Sequence, residues 1–399
     1  MRIILYAGKG GVGKTSVAGA TGALTAARGF RTLVLSLDPA HSLSDVFDLQ
    51  VSLMDKNRGQ PLAVAENLWI QELDVHEEIA RNWGEVHRYV TSLLNTSGIE
   101  DVLAEELAVL PGMEEVSALL YINRYFRDKA YDLIVLDCAP TAESLRFVSL
   151  PKTLDWYMAK IFKVERRLAR YMRPVAKRLI DVPLPGDDYF AGIQRLYERL
   201  KGVDELLSDP EVTSVRLVTN PEKMVLKETQ RAFMFFCLHQ LAVDAVIINR
   251  VLPPGTEGRL GSWGRLQREY LDLAESYFRP VPILQAPLAE SEVLGHDLLL
   301  GFGRRLFQDL DPTAVFYQRR TLAFERLNGR HRVRLLLPFA TRPEIDLSKV
   351  GEELIVKVGN FKKNLILPRA FALLEPSGAQ LSGEELIIEF GGKDAQDQD

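Results

Sequence analysis

The chain has 399 residues, 47% hydrophobic and 26% charged, which excludes disorder as its main state and leads us to expect two or three domains at about 150 residues each. Its 49 Lys and Arg against 54 Asp and Glu give a net charge of −5, so binding nucleic acid by overall charge is not expected. Two cysteines, Cys138 and Cys237, exclude a disulfide framework or an all-cysteine zinc site within one chain and fit a reducing compartment.

No apolar run approaches the roughly 18 residues of a membrane span. A strand-like run begins at Ile3, leaving no visible targeting segment, and a cytoplasmic location is expected. Residues 3–7 read as a strand, a glycine loop follows, and residues 16–28 are Ala-rich and helix-prone, with Gly29 where a helix would stop. Residues 31–37 are a second apolar strand. Continuous apolar strands alternating with helices predict an α/β fold with a mostly parallel sheet covered on both faces. Further strands are expected at 68–73, 132–136, 215–219, 245–249 and 281–285. Helices are expected at 76–94, 100–110, from Pro111-Gly112 onward, at 222–241 and at 264–277. This is one domain over 1–327, with a helical insert at about 151–209.

From about Asn328 the period changes to two. Residues 331–337, 354–358, 365–367 and 386–390 alternate or run apolar between Gly, Pro and Asn, which predicts a small antiparallel β-sandwich over 328–391. About sixty residues are marginal alone, so this module should lean on the first domain. The polar tail 392–399 is expected to be disordered.

The loop Gly8-Lys9-Gly10-Gly11-Val12-Gly13-Lys14-Thr15 matches G-x-x-x-x-G-K-[ST] and lies between a strand and a helix. Glycines let backbone N–H groups turn inward to cradle phosphate, and the following helix aims its N-terminus at the anion. Lys14 can neutralise the β- and γ-phosphates, and the Thr15 hydroxyl can ligate Mg²⁺. With its second lysine, Lys9, the loop resembles the deviant Walker A pattern (K-G-G-x-G-K-[ST]) of a P-loop NTPase subclass that works as dimers. That subclass includes the ParA/MinD partition ATPases, the nitrogenase iron protein and the ATPases of arsenical pumps and of tail-anchored protein targeting. The resemblance implies that Lys9 reaches the partner's nucleotide, like an arginine finger supplied in trans.

Asp38-Pro39-Ala40-His41-Ser42-Leu43-Ser44-Asp45 is similar to the switch I motif of the ArsA family. Leu133-Ile134-Val135-Leu136-Asp137 ends in a carboxylate as a Walker B strand does, and Cys138-Ala139-Pro140-Thr141 with Leu145-Arg146-Phe147 looks like the family's switch II. Leu110-Pro111-Gly112-Met113-Glu114-Glu115 resembles its P-G-x-[DE]-E. The chain departs from the pattern at Cys138 and at Ala142-Glu143-Ser144, and it has no C-x-x-C pair for a zinc-clamped dimer. The resemblance, over about residues 1–310, implies hydrolysis of Mg-ATP between two subunits, with Asp38, Lys9 and Lys14 catalytic. It implies nucleotide contacts from Gly8, Lys9, Gly10, Gly11, Val12, Gly13, Lys14, Thr15, Ser16, Glu222 and Asn249, the last through an amide that can address an adenine edge. It implies a magnesium site from Thr15, Asp38 and Asp137, with Asp45 near the metal in the closed state. His41 reads as a capping or packing residue, with a general-base role as the alternative, and Cys237 reads as a packed core thiol.

Residues 152–178 hold nine Lys or Arg against Asp155 and Glu165, with apolar residues at Leu154, Tyr157, Met158, Ile161, Val164, Leu168, Tyr171, Met172 and Val175. That is helical spacing, with an apolar, methionine-bearing face and a basic one. Such a helix can lie on an anionic membrane, cover an apolar client, or dock on its own domain, and Pro174 should kink or divide it. The C-terminal module resembles the α-crystallin domain of small heat-shock proteins. The reading is a homodimeric ATPase that opens and closes a hydrophobic groove for an apolar client or lipid-like ligand, with transient membrane or receptor contact and no nucleic acid. The alternatives are a ParA/MinD-like positioning ATPase and a metalloid pump-driving ATPase.

Overall fold

The computed structural model describes residues 1–38, 42–50, 57–96, 108, 112–138, 141–179, 184–253, 262–327 and 330–391, with the backbone alone for 75, 76, 141–146 and 173–179. The chain divides into two compact units. The first is Met1–Leu5, Lys14–Leu207 and Ser291–Thr313, and the second is Tyr6–Gly13, Ser208–Glu290 and Ala314–Asp399.

In the first unit, β1 (Arg2–Ala7, its last two residues in the second unit) leads through the glycine loop to α1 (Lys14–Ala27) and β2 (Thr32–Ser36). Then come α2 (Leu43–Val46), β3 (Leu62–Ala65) and β4 (Leu68–Glu72). A helical turn Val75–Glu78 runs into a π-helical stretch Ile79–Trp83 and α3 (Gly84–Thr96), followed by α4 (Met113–Arg127) and β5 (Leu133–Asp137). The strands are ordered β3-β4-β2-β5-β1. β2 pairs in parallel with β4 and β5, so Val34 faces Ile70 on one side and Val135 on the other. The middles of these strands are apolar because helices cover both faces. The register also sets Ser36 beside Glu72 and beside Asp137 at the carboxyl edge, where ligands of such sheets bind.

The helical insert follows as α5 (Thr141–Lys160), α6 (Phe162–Leu179), α7 (Asp187–Leu200) and α8 (Val203–Ser208). Asn123 Nδ2 donates to Arg199 O at 2.6 Å, and Arg195 meets Glu85 at 2.6 Å, fastening α7 to α4 and α3. Pro151 and Pro174 both lie inside continuous helical spans, so Pro174 does not divide α6. The break falls at Ile161, after which Phe162 turns inward to pack edge-on against Phe190, 5.7 Å between ring centroids.

In the second unit the end of β1 is followed in sheet order by β6 (Thr213–Thr219), β7 (Val243–Val251) and β8 (Ile283–Pro287), with β6, β7 and β8 parallel. α9 (Lys223–Leu238) and α10 (Ser262–Phe278) connect them. The β module is two antiparallel sheets, β14-β15-β10-β9 and β11-β12-β13. Their strands are β9 (Leu322–Leu327), β10 (Arg330–Leu336), β11 (Ile345–Val350), β12 (Glu353–Val358), β13 (Phe361–Ile366), β14 (Glu375–Ser382) and β15 (Glu385–Gly391). Val333, Leu335, Leu354, Val356, Leu386 and Ile388 form its core, and Met234 and Leu238 of α9 complete it. Phe361 packs on Phe235 at 5.2 Å, and Arg319 pairs with Glu384 and Glu385 at 2.8 and 3.0 Å. The module therefore leans on α9, which offsets its small core.

Four strands were not foreseen: β3, β9, β11 and β14. β14 is almost wholly exposed and carries no apolar alternation, so only its pairing with β15 makes it a strand. The helix expected at 76–94 is interrupted by the π-helical stretch, where Asn82 Nδ2 reaches Glu78 Oε2 at 2.6 Å and Trp83 Nε1 reaches Ser117 Oγ at 3.2 Å. The helix expected at 100–110, apart from Ala108, and the tail 392–399 lie outside the described residues.

Candidate functional site

The glycine loop follows β1 and ends where α1 begins at Lys14. A Cβ on Gly8 would overlap the Val218 carbonyl oxygen, and one on Gly13, whose φ is +92°, would overlap the Asn249 amide. No side chain fits either position, so the loop's close approach to β6 and β7 requires glycine. Lys9, Gly10 and Gly11 are exposed, while Lys14 is buried in the first turn of α1. An ammonium held out of water at a helix N-terminus favours anions beside it.

At the carboxyl edge of the first unit stands Asp137, fully buried, with no hydrogen-bond partner for either carboxylate oxygen among the described residues. Burial pushes its pKa up to about 7; the Thr15 hydroxyl and the Lys14 ammonium oppose that rise, and Asp38 and Glu72 add to it. Two unpaired buried acceptors are costly unless a cation or its bound water completes them. The donor set of Asp137, Thr15 and half-buried Asp38 is all oxygen, as Mg²⁺ prefers. The residues thus fit a magnesium nucleotide.

Thr15 Oγ1 lies 3.2 Å from Ser42 Oγ, the residue preceding α2. The N–H groups of Leu43 and Ser44 donate to Glu72 Oε1 at 2.8 and 3.1 Å. Burial raises the Glu72 pKa against these two bonds, and the Asp45 charge adds to the rise. Glu72 thus clasps the backbone at Leu43 and Ser44, and the sequence reading missed it. Its signal was present as a carboxylate at the end of a strand, the same position that marks Asp137. The Asp38 N–H donates to Ser36 Oγ at 3.1 Å. Pro39, Ala40, His41, Ala139 and Pro140 lie outside the described residues.

In the second unit, Asn249 is buried. Its Nδ2 donates to Val12 O at 2.8 Å, and its Oδ1 accepts from Arg250 N at 2.9 Å. The structure therefore places it as a brace of the glycine loop. The adenine contact expected of it must use the amide's second N–H and the second lone pair of Oδ1. Glu222 is exposed and precedes α9. Two residues earlier, Asn220 is buried with its Oδ1 unpartnered among the described residues. The sequence reading did not select it, because an asparagine before a proline reads as a turn.

A third buried polar group escaped the sequence reading. Arg216, inside β6, donates through Nε to Asp244 Oδ1 at 3.2 Å, through Nη1 to the Tyr6 hydroxyl at 3.3 Å and through Nη2 to Ala314 O at 3.0 Å. Its guanidinium lies 4.4 Å from the Phe316 ring centroid. Both cysteines are buried, and among the described residues no group of three or more His, Cys, Asp or Glu could hold a metal ion. Among them, too, no helix is long and apolar enough to cross a membrane.

Residues 1–308 match the family described as "Anion-transporting ATPase", and residues 328–390 match "HSP20-like domain found in ArsA". A protein of Aquifex aeolicus named as an arsenical pump-driving ATPase is 46% identical over 393 residues, covering 97% of this chain and 99% of the relative. One from Chlorobaculum tepidum, named likewise, is 37% identical over 98% of this chain and 96% of its own length. The "ATPase ASNA1 homolog 2" of Paramecium tetraurelia is 26% identical over 76% of this chain and 92% of its own length. With glycine loop, buried lysine and strand-end carboxylate in place, and with the family matched over most of its length, the chain belongs to the ArsA family of ATPases.

Proposed function

We propose that this ATPase works as a cytoplasmic homodimer that hydrolyses Mg-ATP and couples the cycle to binding and release of an apolar client by its helical insert. The observation that carries the reading is Asp137, a buried carboxylate with unpaired oxygens beside Lys14 and Thr15. The backbone N–H groups of residues 8–16 and the Lys14 ammonium hold the phosphates. Thr15 and Asp137 would hold the magnesium ion. Asp38 orients the attacking water and accepts its proton. Lys9, exposed in its own chain, extends to the phosphates bound by the partner copy. Glu222, Asn249 and the unpaired Asn220 oxygen serve the nucleobase end. The bound ion supplies neutralisation of phosphate charge. Exposed Trp156, Val164, Leu168 and Tyr171 supply the apolar surface for the client.

Purified full chain should hydrolyse ATP only with Mg²⁺, and Lys14→Ala or Asp38→Asn should lower turnover by about a hundredfold or more. Lys9→Ala should spare nucleotide binding and lose turnover. A single-chain mass in the presence of a non-hydrolysable ATP analogue would refute the dimer. Asp38→Asn protein held in ATP should retain hydrophobic ligands identifiable by mass spectrometry, and an empty preparation would refute the client. The names of the most similar relatives favour a second reading, a pump-driving ATPase stimulated by arsenite. The two buried cysteines offer it no exposed thiolate, and arsenite titration of the ATPase rate separates the two.

A further inference from the structure

α6 is amphipathic in an uncommon way. It carries seven basic residues and one acidic residue over Phe162–Leu179, in a chain whose net charge is −5. Its inward face is short. Phe162 and Ala169 pack with Phe190, and Tyr157, Met158, Tyr189 and Ile193 surround them. The single acid, Glu165, already accepts the Tyr157 hydroxyl at 2.6 Å.

At about 100° per residue, Val164, Leu168 and Tyr171 turn away from that cluster and Met172 flanks it. They are 62%, 60%, 74% and 43% exposed. Lys163, Arg167 and Arg170 form the strip alongside and are also exposed. An apolar strip and a basic strip therefore share one outward face. Arg170 has a partner in Asp187 at 3.7 Å; Lys163 and Arg167 are the strip's outermost charges.

Each strip asks for something different from an occupant. An uncharged apolar helix would cover the four apolar side chains and leave the cations without counter-charges. A nucleic acid would answer the cations and leave the apolar strip in water. A lamellar surface with anionic headgroups answers both, since acyl chains lie just beneath the phosphates. We infer that α6 docks flat on an anionic phospholipid surface. Val164, Leu168, Tyr171 and Met172 enter the boundary between headgroups and acyl chains, and Lys163, Arg167 and Arg170 face the phosphates. This rests on the reading of the insert as an apolar-ligand surface, and it names the surface that face meets.

The test is flotation of the full-length protein with vesicles of phosphatidylcholine alone and of phosphatidylcholine with phosphatidylglycerol, at low and high salt. Binding to the anionic vesicles is expected to exceed binding to the neutral ones about tenfold or more and to fall at high salt. Lys163→Glu with Arg167→Glu, and separately Leu168→Ser with Tyr171→Ser, should each remove it. Lys163 and Arg167 are exposed and lie outside the ATP site, so thermal melting and ATPase rate of their double variant should stay at wild-type values. Equal binding to both vesicles, no binding, or full binding by either double variant would overturn the inference. Capture of a soluble apolar helical peptide by protein that ignores anionic vesicles would overturn it too, while leaving the client reading intact. Anionic-selective binding by a protein without ATPase activity would sustain it and defeat the proposed function.

Discussion

Arg216→Met is the most exacting test of the second unit. The guanidinium and Asp244 are both fully buried, 3.2 Å apart, and the same group also reaches Tyr6 and Ala314. Methionine keeps much of the apolar stem and the contact with Phe316, so the loss is electrostatic rather than volumetric. Removing one partner of a buried ion pair leaves an uncompensated charge and costs about 3–5 kcal/mol. Unfolding free energies of whole proteins are about 5–15 kcal/mol, so the change should be plain in urea denaturation followed by circular dichroism. Replacing both members, Arg216→Met with Asp244→Val, removes the stranded carboxylate and should recover most of the loss. A single variant within about 1 kcal/mol of wild type, or a double variant no better than the single, would refute the account.

Glu72→Ala should cut ATP turnover about tenfold or more, because the Leu43 and Ser44 N–H groups lose their acceptor. Glu72→Gln, which keeps an accepting oxygen, should recover much of that rate, and equal loss in both variants would count against the clasp. Asp137→Asn should raise the melting temperature of nucleotide-free protein, since an unpaired buried carboxylate is removed. The same variant should lose the stabilisation that Mg-nucleotide gives wild type; unchanged melting in both states would contradict this. The Arg31 side chain, 2.8 Å from Asp132, holds that carboxyl below its usual 3.8. Its small contribution is present above pH 3.8 and is lost as pH falls through the lowered value, so Asp132→Asn should flatten acid denaturation slightly, and a steeper acid limb would reverse the sign. Cys138 and Cys237 are buried, and burial raises the Cys237 thiol pKa. Neither should react with a disulfide reagent until the protein is unfolded, and rapid labelling of native protein would contradict their placement.

Local signals were legible in the sequence. β1, β2 and β5 are apolar runs because both faces of their sheet are covered, and the glycine loop is contiguous, so its spacing can be read without a fold. The alternation of β10, β12 and β15 likewise announced a two-layered module. Asn220 and Arg216 were not legible as site or core residues, since nothing in their neighbours marks them, and Glu72 carried only the strand-end signal it shares with Asp137. The register of β2 with β4 and β5 puts Glu72 and Asp137 on either side of Ser36, and the closure of β6 on β7 puts Arg216 beside Asp244. Asn249 also braces the glycine loop, a role the sequence did not show, because its amide meets the Val12 carbonyl 237 residues away. β14 became a strand through its ladder to β15. Composition and period decide what a segment can bury, for these act within a few residues. Which polar groups meet is decided only when distant strands align, because a hydrogen bond or charge pair acts over a few ångströms of space, whatever the separation along the chain.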